Sequence, residues 1–304
     1  MICEPTMKNI ALFDVQREGA GYVANDAFNL VASSDEWMSP VFAEVGPDGA
    51  VWFADWQNYI IQHNPTPSAQ RGGYDSKTGV GGAHENPLRD HARGRVYRVV
   101  WDQAKPAPMM SLKGATTAQL VTALGNANPF WRLTAQRLLV EGKRTDAAPT
   151  LKEALAGGAP IKAIHALWTL HGLGLLDEPA HRAGLVHADA AVRRNATRAL
   201  GRDAQAVALY FGSAVVSDPD PLTKLAALVK LAEFSDSQQI KTVVASIVRN
   251  PANQKDEWLR EATRILAKLH GAALYREGPN LLPNPGFETL GLAGVPEGWK
   301  RRDY

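Results

Sequence analysis

Cysteine occurs once in the 304 residues, at Cys3, which rules out an internal disulfide, a cysteine-based zinc site and a CxxCH haem attachment within the chain. No long uncharged apolar run is present. The longest apolar runs, such as Ile161 to Leu176, which is broken by Lys162, His165 and His171, are too short or too interrupted to read as a bilayer span, and no membrane insertion is expected. Neither sign of charge dominates: 33 Lys and Arg against 31 Asp and Glu leave a net +2, and bulk charge therefore names no partner. A GxGxxG loop, a Walker A loop and a G-x-S-x-G elbow are all missing. The opening stretch, MICEPTMKNIALFDV, has neither the basic nor the apolar part of a secretory leader. Two expectations follow, a cytoplasmic protein or a parent chain that begins upstream. What is there is ordinary globular composition, 45% hydrophobic and 21% charged, over a length that suits about two domains.

The two parts differ in kind. Residues 1–104 carry 8 basic and 13 acidic side chains, and residues 105–304 carry 25 and 18. The first part holds Trp37, Trp52, Trp56 and Trp101 and short β-rich runs bounded by Gly, Pro, Asn and Asp. Strands are predicted at 10–15, 28–32, 41–45, 50–56, 59–62 and 95–101. Gly46-Pro47-Asp48-Gly49 has the chemistry of a tight turn, because proline presets φ and glycine permits a positive one, so a hairpin is expected there. Residues 63–91 are rich in Gly, Pro, Asn and Ser, and a long irregular loop is expected.

From Thr116 the texture changes to Ala and Leu at helical spacing, with an internal repeat. Alanine followed four residues later by leucine recurs at Ala135/Leu139, Ala166/Leu170, Ala196/Leu200, Ala227/Leu231 and Ala262/Leu266, at intervals of 31, 30, 31 and 35 residues. Three copies read A-x-R-x-L, with Arg137, Arg198 and Arg264. Each copy follows a breaker, at Asn128-Pro129, Ala159-Pro160, Ala188-Asp189, Asp220-Pro221 and Lys255-Asp256, where proline or a capping side chain starts a helix. Partner helices are predicted at 118–124, 148–156, 179–186, 204–215 and 237–248. A small alanine permits close approach and the leucine one turn on fills the groove, so the pairs should stack as an α-solenoid. The unit resembles a HEAT repeat, most clearly at Asp189-Ala190-Ala191-Val192-Arg193-Arg194-Asn195-Ala196. The expected organisation is multidomain, β then α. A β part spans 1–104, a linker 105–115 and a HEAT-like solenoid of five helix pairs 116–272.

Beyond the solenoid, Asn280-Leu281-Leu282-Pro283-Asn284-Pro285-Gly286-Phe287-Glu288, followed by Pro296-Glu297-Gly298-Trp299, resembles the opening strand of galactose-binding-type jelly-roll modules. Residues 279–304 are thus expected to start a β-rich, carbohydrate-binding module that the chain does not complete. The first part carries a resemblance too. Glu4-Pro5-Thr6, Ser33-Ser34-Asp35-Glu36-Trp37-Met38-Ser39-Pro40, Gly46 through Trp56, Ile60-Ile61-Gln62-His63 and Gly94-Arg95-Val96-Tyr97-Arg98-Val99, in that order, resemble the last blades of a particular β-propeller. It is that of the large secreted "membrane-bound dehydrogenase" proteins of Planctomycetes and related bacteria, distantly similar to glucose/sorbosone dehydrogenases. The resemblance implies a partial β-propeller ahead of the solenoid, an extracytoplasmic parent, and pyrroloquinoline quinone (PQQ), Ca²⁺ and a c-type haem as cofactors of that parent. These 104 residues supply at most about two blades of the four to eight a propeller needs.

Candidate sites carry competing readings. Asp48 and Asp55 flank the predicted hairpin strand, and a carboxylate at a turn ordinarily accepts backbone hydrogen bonds. Asp55 ends its strand beside Trp56, and with Asn58, Asn64 and Glu85 it is the local oxygen supply for calcium. Strand alternation sends Arg95 and Tyr97 to one face, where an arginine can hold an acidic quinone; an edge strand carrying Arg explains the same residues without a cofactor. His63, His84 and His91 match no standard zinc spacing. Arg193, Arg194, Arg198 and Arg202 form a basic patch on the solenoid, without the stacking aromatics of a nucleic-acid site, so a solvated face or a ladder of salt bridges is expected. Two functions compete. One is a piece of a secreted quinoprotein-like sugar or alcohol dehydrogenase, inactive alone, with the solenoid as spacer or docking surface against the rest of its parent. The other is a non-catalytic scaffold that grips a protein or glycan through the solenoid.

Overall fold

A computed structural model of the protein describes residues 1–59, 70, 77–78, 84–85, 92–104 and 110–271, with backbone alone at 77–78 and 84–85. Two compact units divide at the end of residue 230. Antiparallel sheets come first and helices follow; the described residues form no closed propeller.

The first sheet has the order β1 (Ile2–Glu4), β2 (Asn9–Glu18), β3 (Gly21–Ala32). The strands predicted at 10–15 and 28–32 are the base of a much longer hairpin that turns at Gly19, whose φ of 53° lies in the left-handed region. Two register shifts, after Ile10 and after Leu12, bend it. The second sheet has the order β4 (Pro40–Val45), β5 (Val51–Asp55), β8 (Arg95–Val99), and residues 77–78 (β6) and 84–85 (β7) form a separate two-residue pair. Apart from residue 70, the remainder of the expected 63–91 loop, and residues 60–62 of the strand predicted at 59–62, lie outside the described residues.

Period-two alternation explains how the sheets meet. Ala43, Phe53 and Tyr97 stand opposite one another across β4, β5 and β8. Phe53 packs with Ile10 of the first sheet and Met38 in one buried core, bordered by Cys3, Val31, Ala43 and Val99. The next row, Phe42, Ala54 and Val96, takes the opposite face, and Phe42 and Val96 are exposed. The predicted turn forms as expected: Gly49 N–H donates to Gly46 O at 3.0 Å and Gly49 has φ 81°.

The helices of the first unit are α1 (Thr117–Ala123), α2 (Pro129–Glu141), α3 (Ala148–Gly157), α4 (Pro160–Gly172), α5 (Glu178–Leu185), α6 (Ala190–Arg198), α7 (Ala204–Gly212) and α8 (Pro221–Ala232), whose last two residues cross the unit boundary. They start where the breakers stand. Asn128 caps α2 through Phe130 N–H at 2.9 Å, and Asp189 caps α6 through Ala191 N–H at 2.8 Å. Contacts follow a stacking pattern: α1 on α2, α3 on α4 and α5 on α6, then α2, α4 and α6 in one layer and α3 beside α5 in the other. Across this unit Ala135, Leu139, Ala166, Leu170, Ala196 and Ala227 are wholly buried and Leu200 is 4% exposed, while Arg137 and Arg198 face solvent. One contact shows why the recurring residue is small. A methyl placed on Gly184 of α5 would lie 3.0 Å from the Ala196 Cβ of α6, so the two backbones are as close as these side chains allow. In the second unit α9 (Gln238–Val248) packs on α10 (Glu257–Leu269), with Ala262 and Leu266 buried and Arg264 exposed.

Candidate functional site

Where β4 begins and β5 ends, a set of polar side chains is buried together. Asp55, 2% exposed, accepts Ser39 N–H at 2.7 Å and Gln57 N–H at 2.8 Å on one carboxylate oxygen. Trp56 N–H donates to Ser39 O at 2.8 Å, and the Ser39 hydroxyl donates to Asn58 O at 2.5 Å. These bonds fold the chain after β5 back onto the start of β4 and hold Gln57 at φ 55°, a left-handed conformation that costs a non-glycine residue on the order of 1 kcal/mol. Arg95, opposite Asp55 in the ladder, donates to Gln57 Oε1 and stands 3.8 Å from the other Asp55 oxygen. That oxygen, Oδ2, is buried and makes no hydrogen bond among the described residues, and the same holds for Lys8 Nζ. Burial pulls the Lys8 ammonium below the usual lysine range, while the carboxylates of Glu36, Asp35 and Asp55 act in the opposite sense.

The residues proposed for cofactors can be tested against this geometry. Calcium takes six to eight oxygens. Here one Asp55 oxygen already serves two amides, the other faces Arg95, Lys8 acts on the same carboxylate, and the Asn58 carbonyl serves Ser39. A donor set with cations against its carboxylate does not suit calcium. Asn64 lies outside the described residues, and Glu85 is described in backbone only. Arg95 and Tyr97 do share a face, but the guanidinium is directed to Asp55 and Gln57, and the Tyr97 ring stacks on Phe53 with centroids 5.0 Å apart. The cluster therefore acts chemically as a lock on the end of β5, and its charges neutralise one another in place. Among the described residues no group of three or more His, Cys, Asp or Glu side chains is placed to hold a metal. His63 and His91 lie outside the described residues.

Asp48, the other turn carboxylate, accepts Ala50 N–H at 3.2 Å and Trp52 Nε1–H at 3.0 Å and pairs with Arg98. The Trp52 bond and the Arg98 pairing hold its carboxyl below the usual range. The turn it stabilises is gripped by the first helix pair. Asn128 Nδ2 donates to Gly46 O at 2.8 Å and Trp131 Nε1 to Pro47 O at 2.9 Å. Farther along, Arg17 on the β2–β3 hairpin pairs with Asp220 just ahead of α8. Sheets and helix pairs of the first unit are thus joined through two separate ties.

Of the four arginines in the predicted basic patch, Arg193 is 17% exposed at its side chain and is a structural clamp. Its guanidinium meets both oxygens of buried Asp218 at 2.7 and 2.9 Å and donates to His187 O and Ala188 O at 2.8 Å each. Arg132 of α2 reaches back in the same way to Asn126 O at 2.6 Å and Ala127 O at 2.7 Å. Both stand fourth in their helix, so in α2 and α6 an arginine at this position, distinct from the solvent-facing arginine of A-x-R-x-L, closes the preceding loop. Arg194 buries its Nε without a hydrogen bond among the described residues, Arg198 is exposed, and Arg202 is exposed with interactions of its own.

Residues 1–103 match the family model described as a domain of unknown function, DUF7133. No curated protein matches the chain. The DUF7133 match ends just after β8, so both sheets and the buried Asp55 cluster fall inside it and helices α1 to α10 fall outside. Sequence reasoning singled out Asp55, Asn58 and Arg95 but not Ser39, Gln57 or Lys8. Ser39-Pro40 opens a strand as many serines do, and nothing local in the sequence ties it to a carboxylate 16 residues on.

Proposed function

We propose that this chain is a non-catalytic piece of a secreted, quinoprotein-like sugar or alcohol dehydrogenase: closing sheet elements of a β-propeller, followed by a HEAT-like arm that serves as spacer and docking surface. The observation that carries it is the pair of ties between the sheets and the helix pairs, Asn128 and Trp131 on the 46–49 turn and Arg17 on Asp220. An arm that positions a partner relative to a propeller requires such anchoring. The commitment of Arg95 and Asp55 to each other supports the absence of chemistry in this segment. The order of sequence motifs supplies the dehydrogenase assignment.

The test is dye-linked oxidation of sugars and alcohols by the purified chain supplied with PQQ and Ca²⁺, alongside the product of the complete natural gene. The chain should give no turnover above the dye blank, and the complete product should turn over and show haem absorbance. Cofactor-dependent turnover by this chain would overturn the non-catalytic assignment. A complete product with neither turnover nor haem would favour the other reading, a scaffold throughout.

A further inference from the structure

In α2, α4, α6 and α8 the residues two before and two after the buried repeat alanine lie about 160° round the helix from it, on the side turned away from the buried seam. After the alanine stand Arg137, Trp168, Arg198 and Val229; before it stand Leu133, Ile164, Arg194 and Leu225. All are at least partly exposed, Leu133 to 59% and Val229 to 53%. Their helices are neighbours: α4 contacts α2 and α6, Trp168 Nε1 donates to Asn195 Oδ1 of α6 at 2.9 Å, and Thr223 Oγ1 of α8 donates to Ala190 O of α6 at 2.9 Å. One face thus interleaves arginines with apolar side chains and carries no acid at these positions. Arg137, Arg194 and Arg198 form no ion pair among the described residues, and neither does Glu141, one turn past Arg137. Arg194 and Arg198 stand one turn apart, where like charges repel. The opposite layer differs, since α3, α5 and α7 balance Lys152 and Arg182 against Glu153 and Glu178.

We propose that this face docks an acidic, amphipathic segment of a partner protein. The guanidinium forks suit its carboxylates, and Trp168, on the helix between those of Arg137 and Arg198, suits an apolar side chain. The apolar half of the array selects this occupant. A nucleic-acid backbone or a sulfated glycan would engage the arginines and leave Leu133, Ile164 and Val229 facing water. With neighbouring helices about 8–10 Å apart, four helices span roughly 25–30 Å, the reach of about eight extended residues. The inference rests on the docking reading above and gives that partner its chemistry.

The probe is a fluorescein-labelled peptide of roughly ten residues composed of Asp, Glu, Leu and Phe, titrated with the full chain and followed by anisotropy. One control peptide carries Asn and Gln in place of the acids, and another carries Ser in place of Leu and Phe. The acidic amphipathic peptide should bind with Kd on the order of 10–100 μM, and each control at least about fivefold more weakly. Arg137→Gln and Arg198→Gln, both at exposed positions, should each weaken binding about three- to fivefold, while Arg182→Gln on α5 should leave it unchanged. Equal binding of either control, unchanged affinity in both variants, or no binding by a chain whose thermal unfolding is intact would overturn the site. Tighter binding of a single-stranded oligonucleotide than of the peptide would overturn the class of partner. The oxidation assay separates the two proposals: turnover by the chain refutes the docking role whatever this face binds, and a silent face in an inactive chain refutes the acidic partner alone.

Discussion

Moving one methyl group across the α5–α6 contact tests how tightly the repeat is packed. Gly184→Ala in α5 gains helix propensity, on the order of 0.5–1 kcal/mol at an interior position and less at the end of a short helix. It also places a Cβ 3.0 Å from the Ala196 Cβ, 3.5 Å from Leu155 Cδ1 and 3.6 Å from Leu167 Cδ1. The leucine ends can rotate, but the alanine methyl moves only if its helix moves, and such overpacking costs about 1–3 kcal/mol. The net expectation is destabilisation by about 1 kcal/mol, a fall in Tm of roughly 2–4 °C for a unit of this size. Ala196→Gly alone should also destabilise, by about 1 kcal/mol through lost propensity and packing. The double variant restores one methyl per contact, so it should be more stable than the two single effects predict when added, by about 1 kcal/mol. Thermal and urea unfolding of the four proteins measure this. Additive single effects, or a more stable Gly184→Ala protein, would refute close approach at this contact.

Arg193→Ala leaves Asp218, whose carboxylate is 4% exposed, without its cation, and should cost about 3 kcal/mol in urea unfolding. Arg182→Ala, which removes an exposed i,i+4 pair with Glu178, should leave the urea midpoint essentially unchanged. Asn128→Asp keeps the α2 cap but turns a donor to Gly46 O into an acceptor, so amide exchange in the 46–49 turn should quicken while α2 stays protected. Burial holds His165 and His181 below the usual histidine range, with Arg132 acting on His165 in the same sense. Where the folded state resists protonation the unfolded chain binds more protons, so this contribution is intact above pH 6.5 and fades as pH falls toward the depressed folded values. Urea midpoints should therefore fall from pH 7.5 to 5.5, and His165→Gln should reduce that fall; an identical slope in the variant would exclude the histidine as its source.

The helical part was legible because its contacts are local and periodic. Each stacked pair needs a small residue and a leucine one turn apart, and each helix needs a start, which Pro129, Pro160, Asp189 and Pro221 announce. The β part was legible only where a face is buried. Around Phe53 the alternation is clear, but residues 16–27 run out as a ribbon exposed almost throughout, and a strand solvated on both faces carries no pattern to read. The Asp55 lock was least legible, because Ser39, Lys8 and Gln57 meet through long-range folding.

Cysteine reactivity along the repeat measures most directly whether these alanines form the buried seam between helices. In a Cys3→Ser background, Ala135→Cys, Ala166→Cys, Ala196→Cys, Ala227→Cys and Ala262→Cys should react with a thiol reagent at least about a hundredfold more slowly than Arg137→Cys, Arg198→Cys and Arg264→Cys, because only transient opening exposes them. Comparable rates at both sets of positions in folded protein would contradict the stacking account.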